Sequence, residues 1–225
     1  MTRVEPAVAA LNDRLAIEHP IDAYYASSPL PIRWIEARRL GILRAFIGDA
    51  AGLDLLDIGA GGGHVLAMFP KARRVALDVS NRYLEQARAR LGDEVTYVHA
   101  EIDRADFPPK SFDRIVCTEV LEHTEDPERI LAAIARLLRP TGVAAITVPN
   151  DPLIDRLKSA ARRAPLSSLI MGPASGEYGG AHYHLHRWTP AEMQALLTRR
   201  FKVLEARHAP FDALPVRACY RCAPK

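Results

Sequence analysis

A short apolar segment that ends in an acid and then breaks into glycines most constrains how this chain of 225 residues can fold. Residues 53–58 are mostly apolar, which predicts a β-strand buried on both faces, as strands of parallel sheets are. Four of the next five residues are glycines, and without a Cβ they let the backbone turn sharply and approach a ligand closely. Residues 64–69 then return to a helical pattern. A strand, a glycine turn and a helix in this order are typical of a nucleotide-type cofactor site at the carboxyl edge of a parallel sheet.

The spacing of the glycines and the acid before them bear on which cofactor binds. A dinucleotide site would show G-x-G-x-x-G and hold a pyrophosphate. Here Gly59 and Gly61 are followed by two further glycines, and Asp57 stands two residues before Gly59. A carboxylate repels a pyrophosphate and attracts a cationic amine. S-adenosylmethionine carries an amino group and a sulfonium but no phosphate, so the residues favour it; the alternative is a tight strand–helix turn without a ligand.

The apolar strand with Asp57, Gly59 and Gly61 resembles the first motif of the class I S-adenosylmethionine-dependent methyltransferases. The resemblance covers residues 50–150 closely and residues 187–200 more loosely. It implies an α/β fold: a Rossmann-like, seven-stranded, mostly parallel sheet whose last strand is antiparallel, with helices on both faces.

Further candidate cofactor residues follow in chain order. Asp78 ends a second predicted strand, where an acid in such a fold reaches ribose hydroxyls, and Val79 follows it. The resemblance implies that Glu101 and Ile102 meet the adenine, and Thr118, at the end of the fourth strand, is predicted to border the cofactor. The alternatives are an exposed acid at a strand end for Asp78 and an acid that solvates a loop for Glu101.

The whole chain is expected to form one domain in four parts. Residues 1–50 form an N-terminal helical cap, residues 51–150 the cofactor-binding half, residues 151–188 an insertion that acts as a substrate lid, and residues 189–225 a helix and a pair of strands. The insertion is predicted to contain a basic helical piece and a flexible glycine-rich part.

Two local features outside the cofactor half are also predicted. Tyr24 and Tyr25 are placed in a loop and are candidate lid residues, with aromatic packing as the alternative. Thr189 and Pro190 are predicted to begin the last helix, as N-cap and first residue.

A group of acids and histidines is the candidate catalytic site. Glu119, Glu122 and His123 lie at the end of the fourth strand at spacings of three and four, and a second imidazole would join them from the insertion, where His182, His184 and His186 alternate. Carboxylates with imidazoles suit a divalent metal such as Mg, Mn or Zn. The group resembles quinone-pathway O-methyltransferases with Glu-x-x-Glu-His, and methyltransferases of the terminal ribose of small RNAs, which add a later His. The second resemblance implies that His184 is this later residue, because of its distance from Trp188. His123 or His184 would act as base or as metal ligand, and the alternative is a motif that only shapes the pocket.

The composition of the chain limits the classes of acceptor and the cellular compartment that we expect. A hydrophobic fraction of 48% suffices for one sizeable core, and a net charge of +3 with scattered basic residues favours a small-molecule acceptor over nucleic acid. Only three cysteines and the lack of a membrane-span-length apolar run predict a cytoplasmic protein. The prediction is S-adenosylmethionine-dependent O-methylation of a small-molecule hydroxyl. N- or C-methylation, RNA terminal 2′-O-methylation and non-catalytic cofactor binding stay open as alternatives, and the oligomeric state is undetermined.

Overall fold

One seven-stranded sheet organises the computed structural model, which describes residues 4–18, 21–163 and 184–225. The strands are β1 Asp54–Ile58, β2 Arg73–Asp78, β3 Thr96–His99, β4 Phe112–Thr118, β5 Leu138–Pro149, β6 Phe201–Phe211 and β7 Leu214–Pro224. Their order is β3-β2-β1-β4-β5-β7-β6; β7 pairs antiparallel with both β5 and β6, and the other pairs are parallel. The predicted fold class is therefore confirmed, and parallel pairing brings the carboxyl ends of β1, β2 and β4 to one edge.

Helices cover both faces of this sheet. In the described part of the chain they are α1 Pro6–Glu18, α2 Ile21–Ser27, α3 Leu30–Ile47, α4 Asn81–Leu91, α5 Pro127–Leu137, α6 Asp151–Arg163 and α7 Pro190–Thr198, with short 3₁₀ turns at Leu66–Met68 and Leu121–His123. None of these helices has the length and hydropathy needed to cross a bilayer.

Alternation along the strands produces a core on each side of the sheet. Leu56 packs in the core that holds α5 and α7, whereas Leu55 packs in the core that holds α3 and α4. Cys219 and Cys222 of β7 lie in different cores because an odd spacing in a strand reverses the side. Both thiols are free.

Side-chain caps begin the helices where the sequence predicts them. Ser80 Oγ accepts from Tyr83 N at the start of α4. Thr189 and Glu192 form a reciprocal capping box at the start of α7, which satisfies amides that would otherwise lack partners.

Two local predictions are wrong. Residues 64–69 form only the 3₁₀ turn Leu66–Met68, because Pro70 disfavours helical backbone at Phe69, which has φ −126° and ψ 59°. Tyr24 and Tyr25 lie on α2 rather than in a loop, and α3 begins just after Pro29, since proline is tolerated at a helix start. Residues 164–183, the glycine-rich part of the predicted lid, lie outside the described residues.

Candidate functional site

The glycine turn joins β1 to the adjacent strand β2. The amides of Gly59 and Ala60 both donate to the carbonyl of Leu77, at 2.8 and 3.0 Å. Gly59 has φ +69°, and a Cβ built on it would lie 2.4 Å from Cγ2 of Val120. The turn therefore needs glycine both for its backbone angle and for the close approach of the segment after β4.

The N-terminal helices pack on the same turn. Gly61 has φ +50°, and a Cβ there would lie 2.8 Å from Cδ1 of Ile21 at the start of α2. Asp22 of α2 lies 2.8 Å from Nε2 of His64 and also pairs with Arg90. The predicted N-terminal cap thus contacts the glycine turn directly.

Asp78 holds the turn to the end of β2. Its Oδ2 accepts from Gly61 N at 2.9 Å, and its Oδ1 accepts from Ser80 N at 2.8 Å. Burial raises the pKa of Asp78 to about 6, although these backbone hydrogen bonds favour its charged form. The carboxylate therefore shapes the turn, and its contact with ribose hydroxyls stays a prediction.

Asp57 is a buried acid with nothing to pair with in the described chain. Its side chain is 1% exposed, and neither carboxylate oxygen has a hydrogen-bond partner among the described residues. Burial, and then the charge of Asp78, raise its pKa to about 8, while Arg39 acts in the opposite direction. Because a buried unpaired carboxylate is costly, a cationic ligand group at this point would stabilise its charged form.

Arg39 is a candidate ligand residue that the sequence analysis missed. Its buried guanidinium donates from Nε to Glu36 at 2.7 Å and from Nη2 to the hydroxyl of Tyr25 at 3.0 Å. Nη1 is also buried, and the described part of the chain offers it no partner. The sequence does contain a sign of this role, because Arg39 places a charge within the apolar stripe of α3, between Ile35 and Ile42.

The predicted adenine side is partly covered by the start of the chain. Glu101 Oε1 accepts from the amide of Glu5 at 2.9 Å and pairs with Arg104 at 3.0 Å. Ile102 is buried, and the carbonyl of Val79 accepts from His99 Nε2 at 2.9 Å. Thr118 is half-buried at the end of β4. These positions border one edge of the sheet, and their contact with a cofactor stays a prediction.

Three of the four predicted metal ligands come together. One ligand atom from each of Glu122, His123 and His184 lies within 4.8 Å of the others, and the two imidazole rings meet edge to face at 4.8 Å between centroids. Glu122 is 1% exposed, and neither of its carboxylate oxygens has a hydrogen-bond partner among the described residues. Burial, with the nearby charge of Glu119, holds its pKa well above the usual range.

Glu119 differs from the prediction that it joins this group. Its Oε1 accepts from the hydroxyl of Thr147 at 2.9 Å, and its Oε2 forms an ion pair with Arg217 Nε at 3.1 Å. The carboxylate of Glu119 is therefore paired with the guanidinium of β7, where the sequence predicted a metal.

A buried network of charged side chains adjoins Glu119 of the candidate site. Nη2 of Arg217 lies 2.9 Å from Glu36 Oε1, which also accepts from the hydroxyl of Tyr24 at 3.3 Å. Burial alone would raise the pKa of Glu36, but Arg217 and Arg39 outweigh it and lower the pKa to about 2. These contacts join α2 and α3 to β7 beside the candidate site.

Part of the chain is similar to known sequences. Residues 56–146 match the methyltransferase domain family. A ubiquinone biosynthesis O-methyltransferase of Thiobacillus denitrificans is 38% identical over 122 residues, which are 51% of this chain and 48% of that protein. One from Xanthomonas euvesicatoria is 28% identical over 190 residues, 79% of this chain and 70% of that protein. The chain spans about half the length of the curated relatives it matches first.

Solved structures share the fold. An S-adenosylmethionine-dependent methyltransferase of Mesorhizobium loti superposes with a TM-score of 0.62 at 22% identity, over 83% of this chain and 97% of that one. A 1,6-didemethyltoxoflavin-N1-methyltransferase of Burkholderia thailandensis, with S-adenosylhomocysteine bound, superposes with a TM-score of 0.64 at 20% identity, over 100% of this chain and 91% of that one. At these identities the likeness is one of architecture.

Proposed function

We propose that this protein transfers a methyl group from S-adenosylmethionine to a hydroxyl of a small molecule, because residues 56–146 match the methyltransferase domain family and the fold is the one that the resemblance implied. The relatives named as O-methyltransferases support oxygen as the acceptor atom. The insertion at residues 151–188 is proposed to cover the acceptor.

One observation carries the cofactor assignment: the carboxyl of Asp57 and Nη1 of Arg39 are both buried, and neither has a hydrogen-bond partner among the described residues. Asp57 lies at the end of β1, just before the glycine turn, and the charge of Arg39 acts to lower its pKa. The amino-acid end of S-adenosylmethionine carries one ammonium and one carboxylate. Asp57 would hold the ammonium and Arg39 the carboxylate, so that each buried group gains the partner that it lacks. A pyrophosphate would satisfy Arg39 and leave Asp57 repelled.

Methyl transfer from a sulfonium requires no covalent bond between the protein and the methyl group. When bound, the sulfonium supplies an electrophilic methyl group. The chain must align the acceptor oxygen with it, exclude water, and take the hydroxyl proton. His123 and His184 supply imidazoles beside the end of β4, and an imidazole accepts a proton efficiently near neutral pH.

The proposal includes a divalent metal ion at the candidate catalytic group. Glu122, His123 and His184 would hold it, because the buried carboxyl of Glu122 faces two imidazoles and has no hydrogen-bond partner of its own among the described residues. One carboxylate with two imidazoles favours Mn or Zn over Mg. Such an ion would supply Lewis acidity and lower the pKa of the acceptor hydroxyl.

The test combines labelled S-adenosylmethionine with four acceptor sets: phenols, aliphatic alcohols, primary amines and short RNA oligonucleotides with a free terminal ribose. Mass spectrometry should find an O-methylated small molecule. Methylation of amines or carbon alone, or of RNA alone, would replace the proposal with one of those activities. Tight cofactor binding without any transfer would favour a non-catalytic binding protein.

A further inference from the structure

A buried carboxylate outside the predicted catalytic group contacts His184. Asp151 is the first residue of α6 and is 2% exposed. Its Oδ2 lies 2.7 Å from Nδ1 of His184, whose side chain is 11% exposed. Because a carboxylate can only accept, Nδ1 is the donor, and in the neutral ring the lone pair is then on Nε2.

We propose that Asp151 is a positioning residue, which holds His184 in the tautomer whose Nε2 carries the lone pair. This inference rests on the proposed function, since that tautomer is the form that Nε2 needs either to accept the acceptor's proton or to bind a metal. It does not depend on which of those two roles His184 has. Asp151 itself contacts neither cofactor nor acceptor in this account.

The carboxylate is held on a rigid part of the fold. Asn150, just before it, donates from Nδ2 to the carbonyl of Pro215 and from its amide to the carbonyl of Val216, both at 3.0 Å. The Oδ1 of Asn150 accepts from Leu153 N at 3.3 Å and caps α6. Asp151 is therefore fixed to β7 on one side and to a capped helix on the other, as a positioning group must be.

The imidazole is held from its own side. The amides of Leu185 and His186 both donate to the carbonyl of Glu122, at 2.7 and 3.2 Å. The ring of His186 stacks on Trp188, with 5.2 Å between centroids. The backbone that follows His184 is thus attached to a member of the candidate group. Asp151 then determines which ring nitrogen donates.

The experiment compares Asp151→Asn with Asp155→Asn, a matched change one turn later on α6, where Asp155 pairs with Arg187 at the surface. Nitrogen NMR of ¹⁵N-histidine protein reports the tautomer of His184, and His184→Ala identifies its signals. Wild type and Asp155→Asn should show a protonated Nδ1. An amide can donate as well as accept, so Asp151→Asn should populate the Nε2–H form.

Turnover provides a second readout. Asp151→Asn should lower kcat by about 10- to 100-fold, the usual effect of losing such a carboxylate partner, with unchanged affinity for S-adenosylhomocysteine. The double variant Asp151→Asn, His184→Ala should be no slower than His184→Ala alone, because the effect acts through His184.

Three results would overturn the inference. The first is a neutral His184 protonated on Nε2 in the wild-type protein, a measurement that requires no variant. The others are an unchanged tautomer in folded Asp151→Asn, and losses of kcat that add up in the double variant. The NMR comparison needs no substrate. A wild-type protein that transfers no methyl group, but shows the expected tautomer change, would therefore contradict the proposed function and still support the positioning role.

Discussion

The carboxylate of Glu119 lies 3.1 Å from Nε of Arg217, and the same guanidinium reaches Glu36 on α3 at 2.9 Å through Nη2. One cation of β7 therefore pairs with two carboxylates, one from the end of β4 and one from the N-terminal cap. Burial disfavours the charge on Arg217, but the two carboxylates outweigh it and raise its pKa far above the ordinary value. Arg217 therefore joins the N-terminal helices to the edge of the sheet that holds the candidate site.

Replacing Arg217 should destabilise the protein strongly. In Arg217→Gln, the buried carboxylate of Glu36 and the partly buried carboxylate of Glu119 lose their shared cation, and breaking a buried pair on one side costs about 3–5 kcal/mol. Urea unfolding measures the change. Arg207→Gln is the control, because Arg207 is half exposed and pairs with Glu205 at the surface, where such a pair contributes about 0–1 kcal/mol. Equal, small losses in both variants would show that the Arg217 network is not a structural anchor.

Asp78→Ala should weaken cofactor binding without preventing folding. The turn amide of Gly61 and the amide of Ser80 lose their acceptor, and the predicted ribose contact is lost with them. Losing a hydrogen bond to a charged group costs about 1.5–3 kcal/mol, roughly a 10- to 100-fold rise in Kd for S-adenosylhomocysteine. Calorimetry measures it, with Asp93→Ala, an exposed acid after α4, as control. Unchanged affinity would remove Asp78 from the cofactor site.

His184→Ala should lower turnover and leave S-adenosylhomocysteine affinity nearly unchanged, because the imidazole lies with Glu122 and His123 rather than at the glycine turn. His186→Ala, two residues later in the same segment, is the control, since its ring stacks on Trp188. Steady-state kinetics and calorimetry together separate the two effects. Equal loss of turnover and cofactor affinity would make His184 a structural residue.

Strong chelation tests the metal. If Glu122, His123 and His184 hold an ion that takes part in methyl transfer, prolonged treatment with chelator should abolish activity, and Mn or Zn should restore it more fully than Mg. Metal analysis before and after treatment shows whether an ion was removed. Full activity in protein shown to be metal-free would leave the imidazoles to act as bases alone.

Asp57 should make stability depend on pH. Burial and Asp78 raise its pKa to about 8, far above the ordinary value of a carboxyl group. The folded protein therefore binds an extra proton between those values, and the free energy of unfolding falls as pH rises through this range. This single group contributes about 1.4 kcal/mol per pH unit.

Asp57→Asn cannot titrate, so its stability should fall less than that of wild type between about pH 5 and about pH 8. Urea unfolding at both pH values measures the difference in the ligand-free protein. Parallel changes in the two proteins would mean that Asp57 is charged and paired in the fold.

Local patterns predicted most of the fold, because strands, caps and turns depend on near neighbours in the chain. Ser80 and Thr189 cap their helices as expected, and the glycine turn lies where the sequence places it. The ion pair of Glu119 with Arg217 could not be predicted from the sequence, because it depends on the antiparallel pairing of β7 with β5. The interrupted apolar stripe of α3 marks Arg39 as a buried cation, but the groups near it depend on how α3 packs against the sheet, which the stripe does not determine.

Direct calorimetric titration of the purified protein with S-adenosylhomocysteine, NAD and ATP tests the central assignment, that the turn after Ile58 receives a cationic, phosphate-free nucleoside. S-adenosylhomocysteine should bind saturably, with an affinity that Asp57→Asn and Arg39→Gln each weaken, while NAD and ATP should give no binding heat. Saturable uptake of NAD or ATP together with no response to S-adenosylhomocysteine would contradict it.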